Sequence, residues 1–123
     1  YQVASHLMLM DCVQEGLEIV RIARSRYNGR VRNPFDEYEC GHWYARALAS
    51  YGLLQGLTGI RYDATDQTLF IEPRTAGDFH SFLCTETGYG TAGVRNGKPF
   101  LEVKNGTIPV TRIVYRPSIS NEK

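Results

Sequence analysis

Over the first 26 residues, Val3, Leu7, Met10, Val13, Leu17 and Val20 recur every three or four positions, the spacing of one helix face. Met8, Cys12, Ile19 and Ile22 widen the apolar stripe beyond what a surface helix needs, so neighbours on more than one side are expected. The stretch from Val3 to Arg26 has no Pro and one Gly. Arg21, Arg24 and Arg26, followed by Asn28-Gly29, favour a C-terminal end. The pattern predicts one continuous helix from Val3 to about Arg26. A second is predicted from about Cys40 to Gly56, with Tyr44, Leu48, Tyr51 and Leu54 as larger apolar members. Ala45, Ala47, Ala49, Ser50 and Gly52 crowd two of its turns, which lets another helix backbone come close.

After Gly59 the period shortens. Strands are predicted near 68–73, 79–84, 89–94, 99–104 and 108–115, separated by turn residues. Asn96-Gly97 and Asn105-Gly106 suit the positive φ angles of type I′ turns, so the last three strands are expected to form an antiparallel meander. The expected class is therefore an α+β fragment, two long helices followed by a C-terminal antiparallel β meander. Its parts are a helical hairpin over 1–59, a β-rich segment over 60–116 and a polar tail over 117–123. A first helix apolar on several faces implies further helices beyond this stretch of chain.

Composition narrows the partners. Hydrophobic residues make up 42% and charged residues 22% of the 123 positions, which excludes disorder and a membrane span as the main class. The net charge is +1, so nothing in the bulk electrostatics calls for nucleic acid or an anionic membrane. Cys12, Cys40 and Cys84 fit neither a disulfide framework nor a zinc pattern, and reduced, mostly buried thiols are expected. His6, His80, Cys40, His42 and Cys84 offer metal-binding atoms, but His80 and Cys84 merely share one strand face. No metal and no cofactor are expected. Compartment is not readable from this stretch, with the cytoplasm as the working expectation, and membrane association stays open.

The densest cluster of polar and aromatic groups runs from Asn33 to Arg46, Asn-Pro-Phe-Asp-Glu-Tyr-Glu-Cys-Gly-His-Trp-Tyr-Ala-Arg. Sugar recognition needs charged groups that grip adjacent hydroxyls and aromatic faces for the C–H surfaces, and this cluster holds both. On a continuous helix Glu39, His42 and Arg46 share one face. Glu37 stands opposite Arg46 at about 100° per residue, so those two converge only if Glu37 lies in a loop. Asn33-Pro34 favours an extended approach; Asp36 with Glu39 can instead form a capping box that starts the helix at Glu37. An ordinary salt bridge from Glu37 or Glu39 to Arg46 is the plain structural alternative.

The string Asn33-Pro34-Phe35-Asp36-Glu37-x-Glu39-Cys40-Gly41-x-x-Tyr44-x-Arg46-Ala47 resembles the signature near the C-terminus of glycoside hydrolase family 116, which includes non-lysosomal glucosylceramidase and bacterial β-glucosidases and β-xylosidases. The likeness extends to Glu15-Gly16-Leu17-Glu18, Arg26-Tyr27-Asn28-Gly29, Gly59-Ile60-Arg61-Tyr62-Asp63 and Thr87-Gly88-Tyr89-Gly90-Thr91. It implies the last helices of an (α/α)6 catalytic barrel and a retaining mechanism with two carboxylates. It also implies a Glu and an Arg nine residues apart that hold glucose hydroxyls away from the scissile bond. These fall on Glu37 and Arg46, a spacing that favours the loop over the capping box. Neither catalytic carboxylate has a counterpart in this sequence.

The resulting expectation is the C-terminal part of a hydrolase of β-glucosides. Its partners are a β-glucoside substrate and the remainder of the catalytic domain, and the fragment alone is expected to be inactive. Preference among glucosides, xylosides and glucosylceramide is not encoded in this stretch. The alternative is a noncatalytic carbohydrate-binding or scaffold module in which the β meander does the work.

Overall fold

The computed structural model describes residues 1–30 and 46–117, with the side chains of Arg46 and Ala47 outside the description. The chain divides into two compact units, Tyr1–Leu57 and Thr58–Lys123.

The first unit holds helices α1 (Gln2–Leu9), α2 (Val13–Ser25), α3 (Arg46–Ala49) and α4 (Tyr51–Thr58). The single long helix expected from Val3 to Arg26 is two helices, because the chain turns back at Asp11, whose φ is 62°. The Cys12 N–H donates to the Leu7 carbonyl at 2.9 Å and the Asp11 N–H to the Met8 carbonyl at 3.1 Å. That pair of bonds is a Schellman closure, with Asp11 in the left-handed position usually taken by glycine. Aspartate tolerates this conformation better than most residues. An uninterrupted apolar period concealed the turn, since the hydrophobic spacing runs straight through it.

The break lets α2 fold back on α1. Ala4 and Met8 on α1 are fully buried, and Gly16 of α2 faces both, so close that a Cβ there would lie 2.8 Å from the Ala4 carbonyl oxygen. On α4, Gly52 faces Ser5, while Gly56 faces Ser5 and Met8. The close helix approach expected from small residues therefore occurs, through two glycines four apart that share a helix face. The second long helix expected over 40–56 is also broken: its described part is two short pieces separated at Ser50. Val3, Met10, Leu17 and Ile22 remain exposed, so the broad cover expected for the first helix is not present among the described residues.

The second unit is two three-stranded sheets. One has the order β1 (Ile60–Asp63), β2 (Thr68–Ile71), β6 (Arg112–Tyr115), and the other β3 (Phe79–Cys84), β4 (Gly88–Arg95), β5 (Lys98–Gly106). Strand β1 lies outside the predicted set. It pairs antiparallel with β2 through a turn in which the Asp63 carboxylate accepts N–H bonds from Thr65 and Asp66. Ile60, Leu69, Ile71, Ala92 and Val94 form the core, with Phe79, Leu83, Leu101 and Tyr115 packed around it. The two sheets thus face one another across a shared apolar layer, as in a small sandwich.

These observations overturn the expected class. Among the described residues, four short helices and two small sheets stand where two long helices ending an (α/α)6 barrel were expected. The last three strands are not the meander either. The meander is β3-β4-β5, and β6 leaves it to pair parallel with β2, Thr68 opposite Arg112 through Ile71 opposite Tyr115. Part of the reason is local. A type I′ turn needs positive φ at both central residues, as Asn96 (52°) and Gly97 (70°) have. At the second site only Gly106 has positive φ, 69°; Asn105 stays in the ladder opposite Tyr89. The strand therefore runs on past its expected turn. Buried Ile108 and the Tyr62 hydroxyl, which donates to the Pro109 carbonyl at 2.6 Å, then anchor the passage to the other sheet.

Candidate functional site

Glu37 lies outside the described residues. Arg46 is placed by its backbone alone, within α3. Whether the acidic and guanidinium groups converge is therefore not part of the described geometry, and the same holds for Cys40, His42 and Trp43. A concavity in the first unit, about 390 Å³, is lined by Tyr1, Val3, Arg26, Tyr27 and Ala49 among others. Arg26 and Tyr27 belong to one of the flanking strings that carry the family likeness.

In the second unit, polar and aromatic groups collect on the solvent side of β3-β4-β5. Strand alternation explains why. Phe79 and Leu83 of β3, Ala92 and Val94 of β4, and Leu101 of β5 turn toward the core, so the residues between them point outward. His80, Phe82 and Cys84 are the outward set on β3, Tyr89, Thr91, Gly93 and Arg95 on β4, and Lys98, Phe100 and Glu102 on β5. In register, His80 stands opposite Gly93 and Phe82 opposite Thr91, while Gly93 stands opposite Phe100 and Thr91 opposite Glu102. A Cβ at Gly93 would lie 2.1 Å from the Phe79 carbonyl oxygen, so the strands approach too closely there for any side chain. A shallow cavity of about 140 Å³ is lined by Asp78, His80, Arg95 and Phe100 together with Phe79 and Val94.

The charges on this face are held in place. The Arg95 guanidinium lies over the Phe100 ring at 4.4 Å, a cation–π contact, and its Nη2 is 3.9 Å from Glu102 Oε2. Lys104 donates to the other Glu102 oxygen. This bond, then the Lys104 charge, hold the Glu102 carboxyl below its ordinary range. At the strand end, Asp78 accepts the Asn96 N–H at 2.6 Å and the Gly97 N–H at 3.1 Å. These two backbone bonds lower its pKa, the Asn96 bond contributing most. Asp78 therefore clamps the β4–β5 turn, a role the sequence pattern did not reveal. All of these groups are well exposed, so the ion pairs add little stability.

Cys12 and Cys84 are free thiols, but Cys12 is half-buried and Cys84 exposed, which corrects the expectation of mostly buried thiols. Cys84 is exposed because alternation along β3 turns it to the outer face. Among the described residues no three His, Cys, Asp or Glu side chains come together as a metal site. No described helix is long and apolar enough to cross a membrane.

No protein-family model matches this sequence, and no curated protein matches it. The outer face of β3-β4-β5 was missed by sequence reasoning. Its signal was available in the alternation of His80, Phe82 and Cys84 and in the run Tyr89-Gly-Thr-Ala-Gly-Val-Arg95, where every second residue is small or apolar. Register between strands was needed before those residues became one surface.

Proposed function

We propose that this chain is part of a retaining glycoside hydrolase acting on β-glucosides, and that Glu37 and Arg46 grip the glucose hydroxyls remote from the bond that is cleaved. The observation that carries the reading is the residue string from Asn33 to Ala47, which resembles the family 116 signature with the acidic residue and the arginine nine positions apart. The likeness of the flanking segments on both sides supports it.

The chemistry is consistent with the residue types. A carboxylate accepts hydrogen bonds from neighbouring hydroxyls while a guanidinium donates in a planar fork, and charge-assisted bonds of this kind contribute about 1.5–3 kcal/mol each. Binding energy from non-reacting hydroxyls positions the reacting centre, so its loss appears in kcat as well as KM. The reading assigns binding only, because no residue of this sequence matches the family's catalytic carboxylates. In the longer enzyme that carries this segment, Arg46→Ala is expected to lower kcat/KM for a nitrophenyl β-glucoside roughly ten- to a hundred-fold, at about 1.4 kcal/mol per decade. Near-normal kinetics from a folded Arg46→Ala variant would remove Arg46 from the site and with it the reading.

A further inference from the structure

Asn-Gly occurs three times, at Asn28-Gly29, Asn96-Gly97 and Asn105-Gly106. In such a pair the glycine nitrogen can attack the asparagine side-chain carbonyl carbon, because the following residue has no Cβ to hinder the approach. At Asn96 the bond from Gly97 N to Asn96 Cγ would form, the Cγ–Nδ2 bond would break, and ammonia would leave with the proton given up by the Gly97 nitrogen. Water then opens the cyclic imide. Opening at the side-chain carbonyl gives aspartate, whereas opening at the main-chain carbonyl gives isoaspartate, whose backbone runs through the side chain and is longer by a methylene.

The fold treats the three pairs differently. Asn105 is held in the β5 ladder opposite Tyr89, and Gly106 lies so close to β4 that a Cβ would be 2.2 Å from the Thr87 carbonyl oxygen. The Asn28 side-chain oxygen is engaged by the Arg30 N–H at 2.9 Å. Asn96 and Gly97 are both exposed at a hairpin tip, and no atom lies within 4 Å of the Cβ position at Gly97.

What restrains this open pair is Asp78, which accepts the Asn96 N–H at 2.6 Å and the Gly97 N–H at 3.1 Å. Attack requires the Gly97 nitrogen to release the proton directed at Asp78 and the peptide to swing toward Asn96 Cγ. With one carboxylate gripping both N–H groups, neither happens until the clamp opens. Asp78 is a poor base for the same proton, because the two backbone bonds hold its carboxyl below the ordinary range. Its negative charge also opposes the anion that develops on the Gly97 nitrogen. Arg95 and Lys98, which pair across the turn, favour that anion, so the Asp78 carboxylate is the group that holds the reaction back.

We propose that Asn96 is a site of spontaneous deamidation and isomerisation gated by Asp78, and that isoaspartate formation there releases the β4–β5 turn. Aspartate at position 96 suits a left-handed backbone, as Asp11 does at φ 62°, and leaves the main chain unchanged in length. Isoaspartate lengthens a two-residue turn, so its two N–H donors no longer meet one carboxylate. None of this depends on the role of Glu37 and Arg46.

The test is to age the full chain in mildly alkaline buffer, digest it, and map the products by mass spectrometry, with enzymatic methylation to mark isoaspartate. Asp78→Ala is expected to raise the Asn96 rate about tenfold, as for loss of a hydrogen bond to a charged acceptor, while the Asn105 rate in the same digest is unchanged. Asp78→Asn, which keeps the shape and one acceptor oxygen without the charge, is expected to fall between native and alanine. Circular dichroism verifies folding, and if Asp78→Ala does not fold, Asp78→Asn carries the comparison alone. Hydrogen exchange is expected to show the Gly97 amide losing protection in the isoaspartate form and keeping it in Asn96→Asp. An Asn96 rate unchanged or lowered in the folded Asp78 variant, an equal acceleration at Asn105, or a Gly97 amide as protected in the isoaspartate form as in the native chain would each overturn the proposal.

Discussion

Leu69→Ala tests whether the apolar layer between the two sheets is what holds the second unit together. Leu69 is fully buried, and Ile60, Ile71, Ala92 and Val94 surround it in the core. The substitution removes three methylene-sized groups, each worth about 0.8 kcal/mol when buried, or about 2.4 kcal/mol in transfer alone. The strands are fixed by ladder pairing on both sides of β2, so the space cannot close completely and a cavity penalty adds to this; about 3 kcal/mol is expected, within the usual 2–5 kcal/mol for such truncations. Native-state hydrogen exchange reads the result directly, because core strand amides exchange only through large openings. At about 1.4 kcal/mol per decade, the amides of β2 and β4 are expected to exchange about a hundredfold faster. An acceleration below about threefold would refute the reasoning, since the layer would then be loose enough to absorb the loss.

Gly16→Ala sets two effects against each other: removing a helix glycine gains up to about 1 kcal/mol, while a Cβ 2.8 Å from the Ala4 carbonyl oxygen overpacks the helix contact at a cost of about 1–3 kcal/mol. Net destabilisation is expected, seen as a lower denaturant midpoint by helix circular dichroism; a more stable variant would mean that α1 and α2 separate freely. Gly97→Ala meets no atom within 4 Å, so its cost is conformational, about 1–2 kcal/mol for an alanine held at φ 70°, and Gly97→Asn is expected to lose less in the same unfolding assay. The lowered pKa of Asp78 means that its carboxylate contributes stability above the ordinary carboxylate range, and that this contribution disappears as pH falls through the lowered value. Asp78→Asn is therefore expected to flatten that acid-side part of the stability profile, and an unchanged profile would show that the clamp on Asn96 and Gly97 contributes nothing.

Legibility of the fold followed the range of the interactions involved. Alternation alone placed a strand over 79–84, where β3 lies, and Asn96-Gly97 announced a turn whose φ angles are positive at both residues. These depend on neighbours two or three positions apart. Asp11 shows the limit: one residue entering the left-handed region redirects α2, and the apolar spacing on either side carries no trace of it. At the candidate sites the division is similar. The string from Asn33 to Ala47 is visible in sequence by its residue types, whereas Phe82, Tyr89, Arg95, Phe100 and Glu102 come from three strands and become neighbours only through register.

The sequence by itself determined where helical and strand periods occur, the tight turn at Asn96-Gly97, and the presence of a polar and aromatic cluster before α3. Tertiary structure decided that the first helical stretch is a hairpin, that β1 exists, and that β6 abandons the meander to lie parallel to β2. The physical reason is that period and turn chemistry are set within a few residues of backbone, while the choice of partner for β6 depends on burying Ile108 and on the sheet containing Leu69 and Ile71, a balance of apolar contacts that no local window contains.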